Sequence, residues 1–169
     1  MGAGKSYKCK NCGKEYQVMT GFGLGFPMFF RNTIKDIKAG RYGEEWKRLI
    51  NSGEYIVPDA EIYLFYCKQC GAWEAEEDLS LYQPKDIEAI KKKQFGVKTV
   101  EERGEIPYAT MADFKEEYNL VKKRIHYCPK CNEEMTRCDN WDEKENLLSE
   151  LPCPECSTKN EPLGRILWD

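Results

Sequence analysis

One histidine, His126, stands in 169 residues. No second histidine accompanies it, and no Ser/His/Asp set or convincing pair of acids can be assembled, so the sequence leans away from an enzyme. Long apolar runs are missing too. Charged residues make up 33% of the chain, and no stretch approaches the roughly 18 apolar residues of a membrane span, so no membrane partner is expected. The N-terminus lacks the apolar core and small-residue cleavage site of a secretory signal, which makes the cytoplasm the expected compartment. Phosphate-binding glycine motifs are incomplete. MGAGKS (1–6) lacks the first glycine of G-x-x-x-x-G-K-[ST] and has no preceding strand to aim it, so it reads as an N-terminal tail. GFGLGFP (21–27) is G-x-G-x-G rather than G-x-G-x-x-G, and no βαβ unit frames it. No nucleotide is expected.

Cysteine is abundant. Eight of the nine cysteines form four C-x-x-C pairs: Cys9/Cys12, Cys67/Cys70, Cys128/Cys131 and Cys153/Cys156. The ninth is Cys138, read as a packing residue. An odd count without a secretory signal argues against a disulfide framework and for metal. Two such pairs supply the four soft thiolates of a closed tetrahedral site, so two Zn²⁺ are expected, with iron as the rival metal of an S₄ set. Such a site keeps no open position and is structural. A redox-active C-x-x-C is the rival, but it needs a thioredoxin-like βαβ context that is absent. His126 lies two residues before Cys128, on the same face of a strand, yet a four-cysteine set is complete without it.

Four pairs combine into two sites in three ways. Sequential pairing closes loops of 54 and 21 residues, and nesting closes loops of 140 and 57. Loop entropy favours the sequential choice by only about 1–2 kcal/mol. CKNCG and CKQCG are near copies whose Gly13 and Gly71 can take the left-handed conformation, and CPKCN and CPECS form a second matched set with Asn132 at that position. The expectation is therefore one site from Cys9, Cys12, Cys67 and Cys70 and another from Cys128, Cys131, Cys153 and Cys156. YKCKNCGKEY with FYCKQCGAWE, and YCPKCNEEM with LPCPECSTKN, resemble the zinc-ribbon and rubredoxin-like group, in which two knuckles on β-hairpins clasp one metal. The resemblance implies metal and a small β fold and says little about role. The 54-residue gap in the first site departs from a compact ribbon and implies an inserted subdomain.

The expected architecture is α+β, with two small β-hairpin zinc ribbons, each with a four-cysteine site, joined and covered by short helices. Residues 1–83 would form the first ribbon module with a helical insertion at about 20–58, residues 84–124 a helical bridge, and residues 125–169 the second module. Thr33 with Asp36 reads as a helix start, GEEWKRLINSG as a helix stopped by Gly53, and PKDIEAIKKKQFG as one opened by Pro84 and ended by Gly96. Thr110 with Asp113 opens another. EIYLFY, LVKKRIHY and EPLGRILWD read as strands, the last with Trp168 to bury. In GFGLGFP, period two places Phe22, Leu24 and Phe26 on one face and Gly21, Gly23 and Gly25 on the other, a packing strand that admits close backbone approach.

Charge is segregated. Residues 1–58 carry ten Lys/Arg against five Asp/Glu, and residues 128–169 carry five against ten. The acidic C-terminal ribbon and the lack of catalytic sets favour a non-catalytic protein-interaction or adaptor module with a protein partner. The alternative is a nucleic-acid-binding ribbon protein using Arg31, Lys35, Lys38, Arg41, Lys47 and Arg48 beside Tyr42 and Trp46. Asp36, Glu44 and Glu45 interrupt that patch, which favours a solvated helix face over a binding surface. An enzyme or thiol redox protein comes last.

Overall fold

The computed structural model describes residues 2–23, 25–52 and 55–168. Leu24 and the expected helix stop Gly53 lie outside them, as does the side chain of Trp168. In chain order the elements begin β1 (Gly2–Lys8), β2 (Glu15–Thr20), α1 (Phe26–Lys38), α2 (Glu44–Ile50), β3 (Val57–Pro58), β4 (Ile62–Tyr66) and β5 (Trp73–Glu77). They continue with β6 (Leu81–Pro84), α3 (Ile87–Lys92), β7 (Gln94–Phe95), β8 (Lys98–Thr99), α4 (Val100–Arg103), α5 (Met111–Glu117) and β9 (Tyr118–Lys122). The last are β10 (Thr136–Arg137), α6 (Trp141–Ser149), β11 (Leu151–Pro152), β12 (Lys159–Asn160) and β13 (Pro162–Trp168). The fold is α+β, with small antiparallel sheets as expected.

The chain divides into two interleaved units. Unit 1 takes Met1–Gly25, Glu61–Glu77 and Ile125–Asp169, and unit 2 takes Phe26–Ala60 and Asp78–Arg124. This partition replaces the expected run of module, bridge and module: residues 84–124 group with 26–60, and all four C-x-x-C pairs fall in unit 1.

Unit 1 is built on two three-stranded sheets and the small β11–β12 pair. In one, β1 lies between β13 and β2, so the residues expected as a tail form a central strand. Gly4 is required there, because a Cβ would fall 2.5 Å from Val18 O and 2.8 Å from Met19 Sδ. In the other, β4 lies between β10 and β5. The buried cluster of Tyr7, Val18, Leu64, Cys138, Leu148 and Leu151 draws on strands of both sheets and on α6, which places Cys138 in the core. Helix α6 has no counterpart in the sequence reading. Its signal is Asn140, whose Oδ1 accepts from the N–H of Asp142 (2.8 Å) and of Glu143 (3.1 Å), with both acids in the first turn. LVKKRIHY forms a strand only through Lys122.

The period-two reading of GFGLGFP holds only at its start. Strand β2 stops at Thr20, and Gly21 (φ 83°) makes an isolated antiparallel bridge to Ile62, its N–H donating to Ile62 O at 2.8 Å. The close backbone approach is therefore at Gly21, and the strand does not continue to Gly25, which is exposed and where a Cβ would meet nothing within 4 Å.

In unit 2, α1 starts at Phe26, well before Thr33. Pro27 fits the first turn, where its missing N–H is no loss, and Phe26, Phe30, Thr33 and Ile37 fall on the buried face. Thr33 is thus mid-helix, its hydroxyl donating to Phe29 O (3.2 Å). The cap of α3 is Asp86, which accepts from the Ala89 N–H (2.9 Å), and the helix ends at Lys92, before Gly96. The Thr110/Asp113 capping box of α5 forms as expected.

Candidate metal centres

Each C-x-x-C pair sits at the tip of a tight turn, and the four turns are built alike. The first cysteine donates its N–H to the carbonyl five residues on and accepts, at its own carbonyl, the N–H of the residue four on. Cys9 donates to Lys14 O at 2.8 Å and accepts from Gly13 at 2.9 Å. The same two bonds recur at Cys67 with Ala72 and Gly71, at Cys128 with Glu133 and Asn132, and at Cys153 with Thr158 and Ser157. The residue after the second cysteine is left-handed in every case: Gly13 (φ 74°), Gly71 (71°), Asn132 (60°) and Ser157 (59°). Gly13, Gly71 and Asn132 are the residues expected for this role. Ser157 carries no comparable signal in the sequence, because serine is not a residue that favours this region.

The turns combine in a nested way. Cys9 and Cys12 meet Cys153 and Cys156, and Cys67 and Cys70 meet Cys128 and Cys131, with all four sulfurs of each set within 4.8 Å of one another. The eight cysteines thus gather into two groups of four, but the sequential pairing is overturned. Strand pairing is the reason. Strand β13 follows the fourth turn and runs along β1, from Gly2↔Trp168 to Tyr7↔Pro162, which brings that turn to the first. Strand β10 follows the third turn and pairs with β4 through Thr136↔Tyr66 and Arg137↔Phe65, which brings the third to the second. A ladder outweighs a loop-entropy difference of about 1–2 kcal/mol. Each set consequently joins one glycine-closed turn to one proline-containing turn. Lys14 pairs with Glu155 (3.1 Å) across the first set, and the Lys10 N–H donates to Asn160 Oδ1 (3.1 Å).

The spacing suits a metal. Four sulfurs at about 2.3 Å from a central ion stand about 3.8 Å apart. Cys9–Cys156, Cys12–Cys153 and Cys12–Cys156 are separated by 3.5, 3.6 and 3.7 Å. Cys67–Cys131, Cys70–Cys128 and Cys70–Cys131 are separated by 3.4, 3.5 and 3.6 Å. The first cysteine of each turn is buried (Cys9 1%, Cys67 1%, Cys128 2%, Cys153 1%), while Cys12 and Cys70 are exposed.

Turn N–H groups favour thiolate at Cys9, Cys67 and Cys128. The Cys12 N–H lies 3.5 Å from Cys9 Sγ, and the bonds from Cys12 and Asn11 hold the Cys9 thiol below its ordinary range. Burial would raise Cys128, but the N–H groups of Cys131 and Lys130 hold it at about 7. Bonds from Thr158 and Asn11 lower Cys156 to about 5. At Cys12 the Lys14 N–H lowers the thiol, yet burial and the sulfurs of Cys9, Cys153 and Cys156 push it up to about 12. Four ionised sulfurs at this spacing repel one another, and a divalent cation would relieve that repulsion. These features fit zinc-ribbon-like sites.

Of the remaining candidates, His126 is no part of either cysteine set. Its ring stacks on Phe65 at 3.8 Å, and Nδ1 lies 3.8 Å from a Glu76 carboxylate oxygen. Cys138 is buried, which pushes its thiol up to about 11, and is no part of either set. The six basic residues of 31–48 belong to unit 2. Arg31 pairs with Glu105 (2.8 Å), Arg41 with Asp36 (2.9 Å) and Lys47 with Glu44 (3.5 Å), while the Trp46 indole N–H donates to Leu79 O (2.8 Å). No helix among the described residues is long and apolar enough to cross a membrane. No family model matches the chain, and no curated protein or solved structure is found similar to it.

Proposed function

We propose that the chain is a zinc protein whose two four-cysteine sites are structural, and that it serves as a non-catalytic protein-interaction or adaptor module. The observation that carries this is the nested closure of both sets. Each metal would tie hairpins that lie far apart in the chain, and with four thiolates apiece neither keeps an open position for a substrate or water. In such sites metal binding is folding free energy, with apparent values on the order of 10–16 kcal/mol per zinc. Zinc is preferred to iron because it fits the S₄ geometry without redox chemistry, and iron remains the rival. Metal analysis of the purified chain should return two equivalents of zinc per chain, and chelation should unfold unit 1. A folded, metal-free chain would overturn the reading.

Nucleic-acid binding is the second reading, and the local excess of basic residues in 1–58 supports it. Against it stand the carboxylate partners of Arg31, Arg41 and Lys47 and the use of the Trp46 N–H inside unit 2. Binding of a single-stranded oligonucleotide with a steep salt dependence would favour it.

A further inference from the structure

Within unit 1 a cleft of about 670 Å³ runs between α6 and the β4–β5 hairpin. Leu64, Trp73 and Leu147 give it an apolar floor. The Trp73 indole N–H is already satisfied by Pro152 O (2.7 Å), so the ring offers only its hydrocarbon surface and π face to an occupant. Two exposed carboxylates bracket this floor, Glu143 and Glu150. Glu143 stands in the first turn of α6 and Glu150 is the residue that ends it, about 10 Å further along the axis, and both line the cleft with Leu147. The Tyr66 hydroxyl fixes Glu143 by donating to it at 2.8 Å, which leaves the second carboxylate oxygen open. Glu150 meets Lys159 at 3.2 Å, but that pair is 62–70% exposed and exchanges readily with another cation.

A nucleic-acid strand or an acidic ligand would meet these carboxylates with like charge. A segment that places one apolar side chain between two cations matches them. We propose that this cleft docks a basic amphipathic helix of a protein partner, with leucine or a similar residue on the Trp73/Leu147 floor and Lys or Arg one turn to either side, on Glu143 and Glu150. The spacing is that of positions i, i+3/i+4 and i+7 of a helix, and the mode is an apolar helix face laid into a groove. The site is the adaptor's contact surface and so rests on the adaptor reading.

The test uses the metal-loaded full chain and a fluorescein-labelled 18-residue helical peptide with Arg at i and i+7 and Leu at i+3 and i+4. Three comparison probes are the same peptide with Glu for Arg, the same with Ser for Leu, and a single-stranded oligonucleotide. Anisotropy should show binding of the Arg/Leu peptide alone. The Glu143→Gln/Glu150→Gln variant should bind it at least tenfold more weakly with metal content unchanged, and Lys159→Ala should bind it more tightly because Glu150 loses its competing cation. No binding overturns the proposal, as does binding indifferent to the two carboxylates, or a preference for the acidic peptide or the oligonucleotide. If the double variant, with both metals, still crosslinks its protein partner, the cleft is wrong and the adaptor reading stands. If the wild-type chain crosslinks no protein at all, the adaptor reading itself fails.

Discussion

A residue in the left-handed region closes each metal turn, and its cost can be read separately from that of crowding. At Gly71 a Cβ would meet nothing within 4 Å, so Gly71→Ala should carry only backbone strain, about 1 kcal/mol. The thermal midpoint at fixed free zinc should drop modestly, with two metals still bound. Gly4 poses the opposite problem: its φ is ordinary, but the Val18 carbonyl and Met19 crowd the missing side chain. Gly4→Ala should cost about 1–3 kcal/mol, whereas Gly164→Ala, whose nearest neighbour is Ser6 Oγ at 3.9 Å, should be nearly silent in the same melt. Tyr66 allows a titration test. Its bond to the Glu143 carboxylate, with burial second, pushes the hydroxyl up to about 12 from an ordinary 10. A raised pKa means that the folded state holds the proton more tightly. The stability advantage of the wild type over Tyr66→Phe should therefore be full below pH 10 and fade between pH 10 and about 12. An advantage independent of pH through that range would mean that the bond contributes nothing.

Among elements, the decisive quantity is which turns share a metal. Cys9→Ser/Cys156→Ser strikes one set twice and should leave one equivalent of metal, while Cys9→Ser/Cys67→Ser strikes both sets and should leave none; native mass spectrometry distinguishes them. Sequential pairing predicts the reverse. The eight cysteines of the two sets were legible in the sequence because C-x-x-C followed by a residue tolerant of positive φ is a local requirement. Partner choice was not, because it is written in the pairing of strands more than 100 residues apart, β1 with β13. Likeness between CKNCG and CKQCG therefore reports how each turn is closed and nothing about what it faces. The same limit explains α1. Thr33 followed by Asp36 has the look of a helix start, but the apolar face of Phe26 and Phe30 continues the helix upstream, and burial outweighs a local cap. The small cleft-lining helix α6 was missed because its apolar pattern is weak. Its capping residue Asn140 was the available signal.

For the whole molecule, both metal sets belong to one unit and none to the other. The chain leaves unit 1 after Gly25 and again after Glu77, and resumes it at Glu61 and Ile125. Each return is tied within unit 1, by the Gly21–Ile62 bridge in the first case and by the Phe65–His126 stack in the second. Unit 2 has its own buried side chains, among them Phe30, Ile37, Val57, Leu81, Val100 and Phe114. Chelation should therefore act unevenly. Losing about 10–16 kcal/mol of apparent binding at each of two sites together exceeds the roughly 5–15 kcal/mol that holds an ordinary domain folded, so unit 1 should open. Hydrogen exchange after chelator addition should show protection lost across 2–20, 62–77 and 125–168. It should be retained at α1, β6 and α5, where burial needs no metal. A chelator titration would then unfold unit 1 alone and leave unit 2 to a separate transition in heat or denaturant, so a single ΔG would not describe this chain. Simultaneous loss of protection everywhere would show instead that unit 2 depends on the metals for its fold, and that the two cores unfold as one.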